Sequence, residues 1–148
     1  SQIARTLDAF RPTVLASYAT VLRALAERKL EGRLACDPHT VWHGGEWMAP
    51  EARATIVEAF GARVAGDYGA SEFLNIAFEC EHGALHVNAD WAILEPVDAA
   101  GRPVPAGQPS DSVLLTNLAN RVQPLIRYEL GDSVTVVPGQ RPPLASQR

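Results

Sequence analysis

Tyr68, Ser71 and Glu72 fall within one five-residue stretch, in the run VAGDYGASE at 64–72. Together they suit phosphate chemistry. The ring of Tyr68 offers a stacking face, and the Ser71 hydroxyl can donate to a phosphate oxygen. The Glu72 carboxylate can hold a hard cation such as Mg²⁺. Paired Gly44 and Gly45, in HGGEW, let backbone approach a flat ligand closely. Asp132, after Gly131 in IRYELGDSV, can accept two hydrogen bonds from a ribose diol. Blander explanations fit the same residues. Glycine-rich loops commonly follow strands, Tyr68 can be a packed core ring, and Gly-Asp is a frequent hairpin turn.

A second constellation is CEHGALH, where Cys80, His82 and His86 carry thiolate and imidazole ligands suited to zinc. In an extended strand their even spacing would point all three to one face, but Gly83 interrupts the run. A structural zinc site needs a fourth ligand, and the only other cysteine, Cys36, lies far away in sequence. Trp42, Trp47 and Trp91 can line a pocket or simply pack. His39 and His43 flank a short apolar run and can act as acid or base, or as satisfied structural imidazoles.

Elements must place these groups. The run TVLASY after Pro12 fits a buried strand or the start of a helix. TVLRALAERK at 20–29 has helical spacing, with Thr20 as a cap and Gly32 just past its end. TVWHGG at 40–45 reads as a strand, PEARATIVEAF as a helix between Pro50 and Gly61, and ARVAGDYG as a third strand. Strand and helix in alternation predict a mostly parallel α/β layer over 1–72, with the candidate loops at the carboxyl ends of its strands. After Phe60 no helical periodicity appears. IAFEC, ALHVNADWAILEPV, SVLLTNL, PLIRYEL and SVTVVP, separated by turn formers, predict an antiparallel, barrel-like β unit over 73–148.

The 148 residues are 47% hydrophobic, enough for a core, and the net charge of −4 argues against nucleic acid or an anionic membrane as partner. No apolar run has the length of a membrane span or signal peptide. Two cysteines are too few for a disulfide scaffold, and a cytoplasmic setting is expected.

HGGEWM, FGARVAGDYGASE, FECEHGALHV and LLTNLANRVQPLIRYELGD stand in the order found in adenylate-forming enzymes, and the chain resembles their phenylacetate–CoA ligase-like branch over nearly its whole length. The resemblance implies part of an ATP-dependent acid–CoA ligase, which activates a carboxylic acid as an acyl-adenylate and passes it to coenzyme A. It implies that Gly44, Gly45 and Glu46 wall the adenine pocket and that Tyr68, between Asp67 and Gly69, stacks on adenine. Ser71 would contact the α-phosphate, Glu72 would hold Mg²⁺, and Asp132, in the segment with Arg127 and Tyr128, would bind ribose. Ser71 and Glu72 are the expected catalytic pair, serving ATP or AMP.

Two departures stand out. Leu130 replaces a threonine common before Gly-Asp, and VVPGQRPP near 138 has no cysteine where relatives often have a Cys-Pro-Cys-Gly-like segment, which weakens a zinc site. The phosphate loop and the C-terminal lid domain, with its catalytic lysine, are expected in the remainder of a parent enzyme, so the fragment alone would not turn over. The alternative expectation is a non-catalytic nucleotide-binding or interaction module that keeps the fold.

Overall fold

The ambiguous segment after Pro12 divides at Tyr18. In the computed structural model, which describes residues 2–137, helix α1 (Gln2–Phe10) leads into strand β1 (Val14–Ser17), and helix α2 (Ala19–Leu30) starts directly after Tyr18. Tyr18 occupies the N-cap in an extended conformation and makes no side-chain cap, so Thr20 does not play the capping role its type suggests. Strand β2 (Thr40–His43) follows, then helix α3 (Pro50–Phe60), with proline in its first turn and the Gly61 N–H on the Val57 carbonyl at 2.8 Å.

Strand β3 (Arg63–Ala70) runs parallel to β2, as β2 does to β1: Leu15 lies opposite Val41, and Val41 opposite Val64. Strands β4 (Phe73–Glu79) and β5 (Leu85–Val87) complete a five-stranded sheet of order β1-β2-β3-β4-β5. A second sheet, order β6-β7-β8, is antiparallel and contains β6 (Ala92–Val97), β7 (Ser112–Asn117) and β8 (Tyr128–Glu129). The expected α/β layer followed by antiparallel β structure is therefore present.

The chain separates into two compact units: Ser1–Gly69 with Phe78–Leu85, and Ala70–Ala77 with His86–Arg148. In the first, Leu22, Leu25 and Ala26 of α2 and Ala52, Ile56 and Phe60 of α3 pack with Leu15 and Val41 of the sheet. Each large side chain so buried contributes about 1.5–3 kcal/mol. The Asp8 carboxylate accepts the amides of Ala35 and Cys36 at 2.7 and 2.9 Å, which ties α1 to the segment before β2. In the second unit Ala92, Val97, Val113 and Leu115 are buried. The buried polar groups there are satisfied: Ser110 Oγ accepts the Val134 amide, Ser112 Oγ that of Gly131, and Asn117 Oδ1 those of Ala119 and Asn120.

Local extents differ from expectation. ALHVNADWAILEPV is two strands, because a turn at Asn88–Trp91 separates them. PLIRYEL supplies only Tyr128 and Glu129, since Arg127 takes a positive φ of 51° just before them. SVTVVP contributes one isolated bridge, Thr135 to Pro109, and its last residue, Pro138, lies with the GQRPP that follows outside the described residues. Among the described residues no helix is long and apolar enough to cross a membrane.

The carboxyl ends of β2 and β3 approach so closely that Gly66 has no room for a side chain. A Cβ there would lie 2.4 Å from His43 Nε2 and 2.6 Å from the His43 carbonyl oxygen. Because one obstacle is backbone, Gly66→Ala is expected to destabilise the fold by about 1–3 kcal/mol, read as a lower urea midpoint.

Candidate functional site

In the first unit, Trp42 and His43 end β2 and the chain bends through Gly44 and Gly45. Gly45 has φ 72°, and a Cβ on it would stand 2.8 Å from Tyr18 Cε1. Gly44 faces the carboxylate of Asp67, whose Oδ1 would lie 3.0 Å from a Cβ on Gly44. The Trp42 indole N–H donates to that same Oδ1 at 2.5 Å, so Asp67 is held against the glycine rather than left to rotate. Trp42, read from sequence as pocket lining or packing, instead orients a neighbouring carboxylate.

Glu46 has a different occupation from the one its position suggested. Its carboxylate accepts the Thr20 amide at 3.0 Å and the Thr20 hydroxyl at 2.9 Å. It therefore caps α2 from a distance, where the positive end of the helix dipole favours a carboxylate. Behind the glycine bend, His43 Nε2 lies 3.2 Å from Glu79 Oε2, and Arg53 donates to the other oxygen of Glu79, whose side chain is 5% exposed. His43 Nδ1 is buried with no hydrogen-bond partner among the described residues. Sequence spacing gave no sign of this group, whose members come from β2, α3 and β4.

Most of the run 64–72 is strand, as the reading of ARVAGDYG as a strand implies. β3 continues through Ala70, so Asp67, Tyr68 and Gly69 are strand residues, and only Ser71 and Glu72 form the exposed turn into β4. Tyr68 is half-buried in that strand.

In the second unit the Tyr128 hydroxyl donates to Glu72 Oε1 at 2.8 Å, joining the turn to β8. The Glu72 carboxylate, through this bond and its charge, pushes the Tyr128 phenol above its ordinary pKa. Arg127 is held in its left-handed conformation by its N–H on Thr116 Oγ1 at 3.0 Å, and its Nε meets Glu95 Oε2 at 3.2 Å. Asp132 is exposed just beyond Gly131, at the exit of β8.

Cys80, His82 and His86 do not gather. Among the described residues no three His, Cys, Asp or Glu side chains are grouped to hold a metal ion. A turn is the cause: Gly83 has φ 77°, its N–H donates to the Cys80 carbonyl, and the Cys80 N–H donates to Ala84. Strand alternation, on which a shared face depended, ends there, and His82 stands exposed beside Glu81 at 3.7 Å.

No protein-family model matches the chain. Protein CapK of Staphylococcus aureus is 26% identical over 132 residues, 88% of this chain and 28% of that protein. A 2-hydroxyisobutyryl-CoA ligase, solved with 2-HIB-AMP and CoA, superposes with a TM-score of 0.74 at 26% identity, over 90% of this chain and 31% of the ligase. The chain thus shares the fold and part of the sequence of an acyl-adenylate-handling ligase. An anthranilate CoA ligase solved with anthranoyl-AMP shares the fold at TM-score 0.71 and 18% identity, over 91% of this chain and 30% of that one. The chain thus spans under a third of the length of each of these three proteins.

Tyr128 supplies a titration test. Its raised pKa favours the protonated phenol in the folded state. That stabilisation is complete below the ordinary tyrosine value of about 10 and is lost as pH rises through the folded value. Glu72→Gln is expected to move one of the three tyrosines toward ionisation at lower pH, followed by the ultraviolet absorbance of tyrosinate.

Proposed function

We propose that this chain is the nucleotide-handling part of an ATP-dependent acid–CoA ligase of the phenylacetate–CoA ligase-like branch. The strongest support is that its four ordered motifs run through a fold shared, at 26% identity, with a ligase solved with an acyl-AMP and CoA. In this reading one set of residues serves the adenine. Tyr68 stacks on the base and the held Asp67 carboxylate faces its amine. Gly44, Gly45 and Gly69 let backbone come close. Glu46 contributes backbone only, because its carboxylate is committed to α2.

Another set serves the phosphate and the ribose. Ser71 donates to an α-phosphate oxygen, and Asp132 accepts from the ribose hydroxyls, near Arg127 in the same segment. A cation fits Glu72, whose Oε1 is taken by Tyr128 while Oε2 remains available on an exposed turn. Mg²⁺ commonly needs only one or two carboxylates when phosphates complete its shell. The cation would neutralise charge on the phosphates. The residues orient the α-phosphorus so that a carboxylate oxygen of the acid attacks it and pyrophosphate leaves, giving an acyl-adenylate. The thiol of coenzyme A then attacks the acyl carbon, the acyl–phosphate bond breaks, AMP leaves, and a thioester forms. The phosphate loop and lid domain belong, in this proposal, to the rest of the parent enzyme. Free thiols at Cys36 and Cys80 suit a reducing cytoplasm.

The test is acid-dependent pyrophosphate release from ATP by the parent enzyme. Glu72→Ala and Asp132→Ala are each expected to lower the rate about 100-fold or more. Unchanged release in both variants overturns the site, and AMP binding without any acid-dependent release supports a non-catalytic module instead.

A further inference from the structure

Glu72 stands on a turn of only two residues and is exposed, a poor place to fix a carboxylate by packing. The fold nevertheless aims a rigid donor at it. Tyr128 lies in β8, opposite Leu115 of β7, and its hydroxyl reaches Glu72 Oε1 at 2.8 Å across 56 residues of sequence. The residue before it is built under strain. Arg127 takes a φ of 51°, rare for a residue with a side chain, and two contacts hold it there: Thr116 Oγ1 on its amide and Glu95 on its guanidinium. Backbone strain of this kind persists only where surrounding structure enforces it, and here it directs the start of β8 and the ring that follows.

We propose that Tyr128 is a positioning residue for Glu72: its hydroxyl occupies one carboxylate oxygen and presents the other to the nucleotide-bound cation. The inference rests on the ligase reading above, which gives Glu72 its cation. It adds a residue outside the phosphate loop and outside the Ser71–Glu72 turn. A tyrosine suits the task because its ring has few rotatable bonds, so the oxygen it offers is already placed. The Arg127–Glu95 pair and the Thr116 hydroxyl act at one further remove, by holding the backbone that carries the ring.

The test uses Mn²⁺ as a spectroscopic stand-in for Mg²⁺ and the full 148-residue chain with AMP. Bound and free Mn²⁺ are distinguished by electron paramagnetic resonance, and AMP affinity without metal is measured by calorimetry. Tyr128→Phe keeps the ring and removes only the hydroxyl, and its fold is checked by circular dichroism. Loss of one hydrogen bond to a charged group is expected to weaken Mn²⁺ binding in the AMP complex about tenfold. AMP affinity without metal should stay unchanged, and Glu72→Gln should abolish the Mn²⁺ site. If Tyr128→Phe binds Mn²⁺ like the parent chain while Glu72→Gln does not, the positioning role is overturned and the ligase reading stands. If Tyr128→Phe weakens metal-free AMP binding equally, Tyr128 is merely structural and the inference again fails. If Glu72→Gln retains Mn²⁺, the cation assignment falls, and this inference with it.

Discussion

Two glycines set the spacing at the carboxyl ends of β2 and β3. Gly66 lies under the ring and carbonyl of His43, and Gly44 lies against the carboxylate of Asp67. Only without side chains at these points can the strands end so close together. That closeness brings the Trp42 indole within reach of Asp67 and fixes the direction in which the acid points. It also buries His43 beside Glu79, where the carboxylate has lost water and depends on Arg53 and His43 for compensation. Removing one partner from such a buried pair costs about 3–5 kcal/mol, more than the pair itself contributes relative to apolar residues. The polar group therefore specifies how β2, α3 and the end of β4 meet more than it adds stability.

The second unit solves a different problem. Its strands are short, and β8 has only two residues, so ladder hydrogen bonds alone cannot hold the segment that carries Tyr128 and Asp132. Side chains take over. Ser110 and Ser112 each accept an amide from residues 131–134, and the Ser133 hydroxyl donates to the Ser110 carbonyl at 2.5 Å. Buried hydroxyls thus substitute for a strand and steady the turn beyond Gly131.

Much of the α/β layer was legible because its signals are local. Pro50 and Gly61 bracket α3, apolar runs mark β2 and β3, and glycines follow the strand ends. α1 was missed, since QIARTLDAF has no acidic first turn and buries little beyond Ala4. The extent of β3, Arg63–Ala70, lies within one residue of the ARVAGDYG run read as a strand, although Gly69 has a low strand propensity. At the candidate site residue types were readable but partnerships were not. Trp42 with Asp67 and Tyr128 with Glu72 join residues 25 and 56 positions apart, and no spacing rule announces such pairs. Glu46 shows the converse: a position that suggests nucleotide contact holds a carboxylate engaged with Thr20.

The central proposal is that the chain binds a nucleoside monophosphate. Amide chemical-shift mapping of the chain on addition of AMP and Mg²⁺ tests it most directly. The account predicts the largest changes at Gly44–Gly45, at Asp67–Glu72 and at Gly131–Asp132. Saturable changes confined to other regions, such as α1 or the Asp98–Arg102 turn, would contradict it.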